Sequence, residues 1–209
     1  MAEAMTYDSL VQDVKDYAER TDSPFVAQIP RLIMLAENRL ASEAKGLGFL
    51  KVASFNLTSG NASYEKPARW RETKNFSIVV SGARRFLKPR GYEYCKMYSS
   101  DAGANGAPEF YADYDYEHFF VSKTPDTTYS AELSYYERPL PLDDDNQTNW
   151  TTQYFPQLIL FATLLEAQPF LKRADRIQEF QMMYDRAIAA LTGEEVRKTT
   201  DNRVVRSKE

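Results

Sequence analysis

The apolar positions divide the chain into three stretches. Between Tyr7 and Arg20, Leu10, Val11, Val14, Tyr17 and Ala18 fall on one face at helical spacing, which predicts a first helix. Thr6 is its expected N-cap, and Asp8 suits its positive end. TDSP ends it, and Ser23-Pro24 starts the next helix with proline in the first turn. Phe25, Ile29, Leu32, Ile33, Ala36, Leu40 and Ala44 form the second stripe. Pro30 removes a backbone donor there, so we expect one turn, a kink at Ile29-Pro30, and a straight run to Lys45 stopped by Gly46.

The middle changes period. FLKVASFNL, NFSIVVS, RRFLK, YEYCKMY, EFYADYDYEHFFV and YSAELSYYE are short β-branched and aromatic runs that read as strands, separated by turn residues. Their spacing predicts an antiparallel sandwich or small barrel. Strict alternation in EFYADYDYEHFF would put Asp113, Asp115 and Glu117 on one strand face and Tyr114, Tyr116 and His118 on the other.

PLPLDDDNQTNW closes this segment. A helix is then expected from about Tyr154, with Phe155, Leu158, Ile159, Ala162 and Leu165 on one face and Pro169 ending or kinking it. Ile177, Phe180, Tyr184, Ala187, Ile188 and Leu191 form the last stripe, with Gly193 as its stop. Glu194 to Glu209 is polar and stripe-free, and reads as disordered in isolation. Neither helix pair buries its stripe alone, but together they do. The expected fold is α+β. Residues 1–46 and 143–193 supply the two helix pairs of a four-helix bundle, 47–142 an inserted antiparallel β domain, and 194–209 an extended C-terminal tail.

Composition narrows the chemistry. At 209 residues with 43% apolar and 27% charged side chains, the chain is long enough for a sizeable core and too apolar to be mostly disordered. Cys95 is the only cysteine, so no intrachain disulfide forms, and its simplest role is a small buried hydrophobe. His118 is the only histidine, which excludes a multi-histidine metal site and, with one cysteine, leaves too few ligands for a Cys/His zinc site. Asp143, Asp144 and Asp145 lack the ligand spacing of a calcium loop. No cofactor is expected. No apolar run reaches the roughly 18 residues of a membrane helix. MAEAMTYDSLVQ lacks a secretion pattern, so synthesis or assembly in a cytosol is expected.

Charge is the strongest remaining signal. The net charge is -4, unlike a protein whose task is to grip phosphates. Within it, residues 66–96 hold nine basic residues against Glu72 and Glu93, while residues 109–145 hold ten acids against Lys123 and Arg138. Three readings stand. The two halves neutralise each other within one β domain. Alternatively, the basic face of one copy, with Arg84 and Arg85, meets the acidic face of the next, with Asp113, Asp115 and Glu117. In the third reading the basic strands contact DNA.

MTYDSLVQDVKDYAERTDSPFVAQIPRLIMLAENRLASEAK resembles the opening of head-to-tail adaptor proteins of short-tailed bacteriophages. Tyr7, Leu10, Ile29-Pro30, Leu35-Ala36-Glu37 and Arg39-Leu40 carry the resemblance. YYERPLPLDDDNQTNW, YFPQLILFATLLEAQPF and Met183-Tyr184-Asp185 continue it to about residue 192. It implies a structural protein rather than an enzyme. About twelve copies would form a ring that joins the portal protein to the tail nozzle or tail tube protein. Genomic DNA would pass through the lumen without sequence recognition. The place is the virion neck, assembled in the host cytoplasm, with no membrane. The resemblance also implies that the tail reaches the portal, which makes Arg197, Lys198, Arg203, Val204, Val205 and Arg206 the portal-binding candidates. Val204-Val205 would add a strand to a neighbour. Two other classes stay open: a carbohydrate-binding tail module, suggested by tyrosine density, and a cell-wall hydrolase using the β-domain carboxylates.

Overall fold

A computed structural model describes residues 4–44, 47–99, 105–172 and 176–199. The chain is α+β and forms two units: Met1–Phe49 with Pro139–Glu209, and Leu50–Arg138.

The first unit is helical. α1 (Tyr7–Ala18) begins with a capping box, in which Ser9 N–H donates to Thr6 Oγ1 at 3.1 Å and Thr6 N–H to Ser9 Oγ at 2.9 Å. It buries Tyr7, Leu10, Val14 and Ala18. The expected kink at Pro30 is a full break. α2 (Ser23–Val26), capped by Asp22, ends before Ala27-Gln28, and α3 (Ile29–Glu43) restarts with proline in its first turn. There a missing donor costs nothing. Gly46 lies outside the described residues. Leu47–Phe49 is a 3-10 turn.

The C-terminal helix is also split. α5 (Trp150–Tyr154), capped by Asn149, is separated at Phe155 from α6 (Pro156–Leu171). α6 runs past Pro169, whose lost bond falls in the last turn. It carries no single stripe: Leu158, Ile159, Leu160, Ala162, Thr163, Leu164, Leu165, Ala167 and Gln168 are all buried. A helix apolar on every side must be surrounded, and α1, α3, α5 and α7 (Ile177–Thr199) all pack on α6. Gly193 does not stop α7, which continues as helix to Thr199. The expected extended tail from residue 194 is thus corrected over 194–199.

The second unit is a sandwich of two four-stranded sheets, ordered β1-β8-β3-β4 and β2-β7-β6-β5. The first comprises β1 (Leu50–Leu57), β3 (Trp70–Val80), β4 (Ala83–Phe86) and β8 (Tyr129–Glu137), all antiparallel. The second comprises β2 (Ser63–Glu65), β5 (Lys88–Pro89), β6 (Phe110–Asp113) and β7 (His118–Ser122), in which β5 pairs parallel with β6. In β8, Tyr129, Ala131, Leu133 and Tyr135 point inward, the period of two that the sequence predicts. They meet Tyr111, Phe119 and Val121 of the other sheet around Phe76, whose ring lies 5.4 Å from Tyr111 and 5.6 Å from Phe119.

YEYCKMY is not a strand. Tyr92–Tyr98 is helix α4, started by Gly91, with Glu93 in its first turn and Lys96 in its last. Seven residues give too little length to separate the two periods. α4 covers the outer face of the second sheet, seating Cys95 against Ala112 and Phe120.

Candidate functional site

Part of the opposed charge of the β segment is paired inside the unit. On β4, Arg84 donates to both carboxylate oxygens of Glu132 at 2.6 and 3.2 Å, and to Ser77 Oγ at 2.9 Å. Arg69 donates to Glu137 at 2.8 Å. The buried Lys66 Nζ lies 3.3 Å from Asp113 Oδ1 and donates to the Asp115 carbonyl at 2.7 Å. Arg85 is exposed and makes no ion pair among the described residues.

Asp113, Asp115 and Glu117 do not share a strand face. β6 ends at Asp113, and residues 114–117 form the turn into β7. Asp115 Oδ1 accepts the N–H groups of Glu117 and His118 at 2.7 and 2.6 Å, while His118 Nδ1 lies 3.0 Å from Oδ2. Against the raising effect of desolvation, these hydrogen bonds hold the Asp115 carboxyl below its usual range. A glycosidase acid needs the opposite shift. Asp115 is a turn-former: Asp at this offset from two amides is the recognisable signal.

Beside that turn lies a cleft of about 550 Å³, lined among others by Lys66, Arg69, Trp70, Tyr116, His118 and Arg138. Lys66 Nζ sits 3.7 Å from the centre of the Trp70 ring. Arg138 donates to Tyr116 Oη at 2.7 Å. No serine, threonine or cysteine lines the cleft, so the oriented imidazole of His118 has no such nucleophile to activate.

α4 offers a different surface. Tyr94, Met97 and Tyr98 are 45%, 76% and 37% exposed. The Tyr94 and Tyr98 rings stack 6.2 Å apart, and each meets Phe110 edge-on. Burial pushes the Cys95 thiol of the same helix upward, so it is not a poised nucleophile.

Sequence reasoning passed over Glu37 as a buried acid. On α3 it is 7% exposed, and its carboxyl accepts Leu142 N–H at 3.3 Å and Asn149 Nδ2 at 2.9 Å. Desolvation raises it to about 7, against these hydrogen bonds. The segment it holds includes the Asp143–Asp145 turn, fixed further by Tyr7 N–H on Gln147 O at 2.7 Å. Asp144 and Asp145 are exposed, without a cation partner among the described residues. Of the tail candidates, Arg197 and Lys198 lie on the last turns of α7, whereas Arg203, Val204, Val205 and Arg206 fall outside the described residues. Among the described residues no cluster suited to a metal ion occurs, and no helix is long and apolar enough to cross a membrane.

A comparison with curated proteins gives no match. The family model described as SU10 adaptor protein matches residues 5–207.

Proposed function

Because the chain belongs to the SU10 adaptor protein family, we propose that it is a structural adaptor in the neck of a short-tailed bacteriophage. About twelve copies form a closed ring between the portal protein and the tail nozzle or tail tube protein. Genomic DNA passes through the lumen without being read, and assembly takes place in the host cytoplasm. α1, α3, α6 and α7 serve as the four-helix body, and the tail engages the portal. The observation that carries this reading is the family match, which spans both units and nearly the whole chain. The net charge of -4 fits a lumen that lets DNA slide, and the Asp115 carboxyl, held below its usual range, is not the raised general acid that a hydrolytic pair needs.

The test is electron microscopy of purified portal rings mixed with the chain. Added ring density at one pole of the portal, with the copy number read from class averages, is the expected result. Bare portals at saturating protein overturn the proposal.

A further inference from the structure

We propose that the outer face of α4 is an intersubunit contact, and that it docks on the Asp143–Asp145 turn of a second copy. The proposal rests on the ring reading and names which surfaces of that ring meet.

The first argument is exposure that folding does not require. Tyr92 and Cys95 already bind α4 to its sheet. Tyr94, Met97 and Tyr98, at i, i+3 and i+4, form a second apolar face directed to solvent. Tyrosine, methionine and arginine are the side chains enriched in interface centres. This face is also pre-set. The Tyr94–Tyr98 stack is wedged on Phe110, and the guanidinium of Arg90 lies 5.7 Å from the centre of Tyr94 and 5.6 Å from that of Phe110. Side chains already held in place lose little entropy on docking.

The second argument is charge. Residues 85–98 carry Arg85, Lys88, Arg90 and Lys96 against Glu93 alone, a net charge of +3. None of the four cations makes an ion pair among the described residues, whereas Lys66, Arg69 and Arg84 do. The acids of the β segment that pair are Asp113, Glu132, Glu137, Glu109 and, with His118, Asp115. Among the described acids without an ion pair, the Asp143–Asp145 turn is the one run of three consecutive exposed carboxylates, and its flanks are tied down by Glu37 on Leu142 and Tyr7 on Gln147. One chain thus carries an unspent basic-aromatic face and an unspent acidic turn. In a head-to-tail ring every copy supplies one to each neighbour, and the contact repeats until the ring closes. Duplex DNA matches the charge of the α4 face but offers no apolar surface for Met97 and the tyrosines.

The experiment assembles the Met97→Cys, Asp144→Cys variant on portal rings and treats it with a bis-maleimide. Both positions are exposed, and native Cys95 is buried. The expected result is a ladder of covalent oligomers from the double variant, with monomer from either single variant. Rings that form normally but give no ladder overturn this contact and leave the ring reading standing. Strong dimer formation by Met97→Cys alone also overturns it, because the face then meets its own copy. Absence of rings from the wild-type chain overturns both. A charge exchange gives a second readout. Arg90→Glu should lower ring yield at least tenfold, and Asp144→Arg with Asp145→Arg should restore it. Failure of the exchange to restore yield counts against the assigned pair.

Discussion

Two residues set the stability of the helical unit in ways their types do not announce. Glu37 sits in the middle of an apolar stripe, where burial favours its neutral form. Its folded value of about 7 lies above the ordinary glutamate value, so the folded state binds more protons between about pH 4.5 and 7. Stability therefore falls as pH rises across that window and levels off above it. Thermal melts at pH 5 and pH 8 should show wild type losing roughly 1–3 kcal/mol more than Glu37→Gln, because only the former must ionise a buried group. Equal pH slopes would mean that water reaches Glu37. Gly48 is the second residue. A Cβ there would overlap the Trp150 indole, which is packed 5.2 Å from both Phe49 and Phe155. Gly48→Ala should cost about 1–3 kcal/mol in denaturant titration, the usual penalty of overpacking. Its smaller cousin, Gly193→Ala in the open body of α7, should instead gain several tenths of a kcal/mol.

At the scale of elements, the long periodic stretches were legible. The α1 stripe and its Thr6 cap, the β8 alternation and the order helices–strands–helices follow from spacing alone. Short or two-faced elements were not. α4 is too brief to reveal its period, although Gly91, Glu93 and Lys96 are the start and end marks of a helix. β7 is buried on both faces, between the sandwich core and α4, so it lacks the alternation of a half-exposed strand. The 114–117 turn was hidden because DYDYE alternates perfectly while Asp115 folds back on two amides. Pairing of charges was legible only as a sum. The intrachain partner of Arg84 separates its role from that of Arg85. Arg84→Glu should destabilise the isolated chain by about 0.2–1 kcal/mol through loss of Glu132 and Ser77. Arg85→Glu should leave the melting curve unchanged. If ring yield drops with Arg85→Glu as well, the second effect lies between copies, since that side chain has no ion pair to lose among the described residues of its own copy.

For the whole molecule, the residues that carry the resemblance to phage adaptors are mostly those that build the helical body. Leu10, Ile29, Ala36 and Leu40 are buried, Glu37 holds the segment after the β unit, and Arg39 pairs with Glu166 at 2.6 Å. Such residues preserve a body rather than specify a partner, so partner choice falls to surfaces and to the chain end. α7 sharpens the question by continuing to Thr199. Arg197 and Lys198 then belong to a helix, and the proposed strand addition falls to Val204-Val205, outside the described residues. Three chain lengths separate these contributions. A chain ending at Gly193 keeps Leu191, the last buried residue of α7 among those whose burial is described, so its melting temperature should stay within a few degrees of wild type. A chain ending at Thr199 regains Arg197 and Lys198, together with Glu194 and Glu195, but no strand-forming pair. If attachment to the portal is mainly charge, it should bind in low salt and detach as ionic strength rises past about 0.15 M. We expect instead that it binds at least tenfold more weakly than the full chain at every salt concentration, because strand addition supplies main-chain hydrogen bonds that salt does not screen. Val205→Pro should then reproduce the loss, and Val205→Ala should not, since only proline removes the backbone donor. Co-sedimentation of these variants with portal rings reads all four outcomes. Full binding by the chain ending at Gly193 would move the joint from the tail to the helical body.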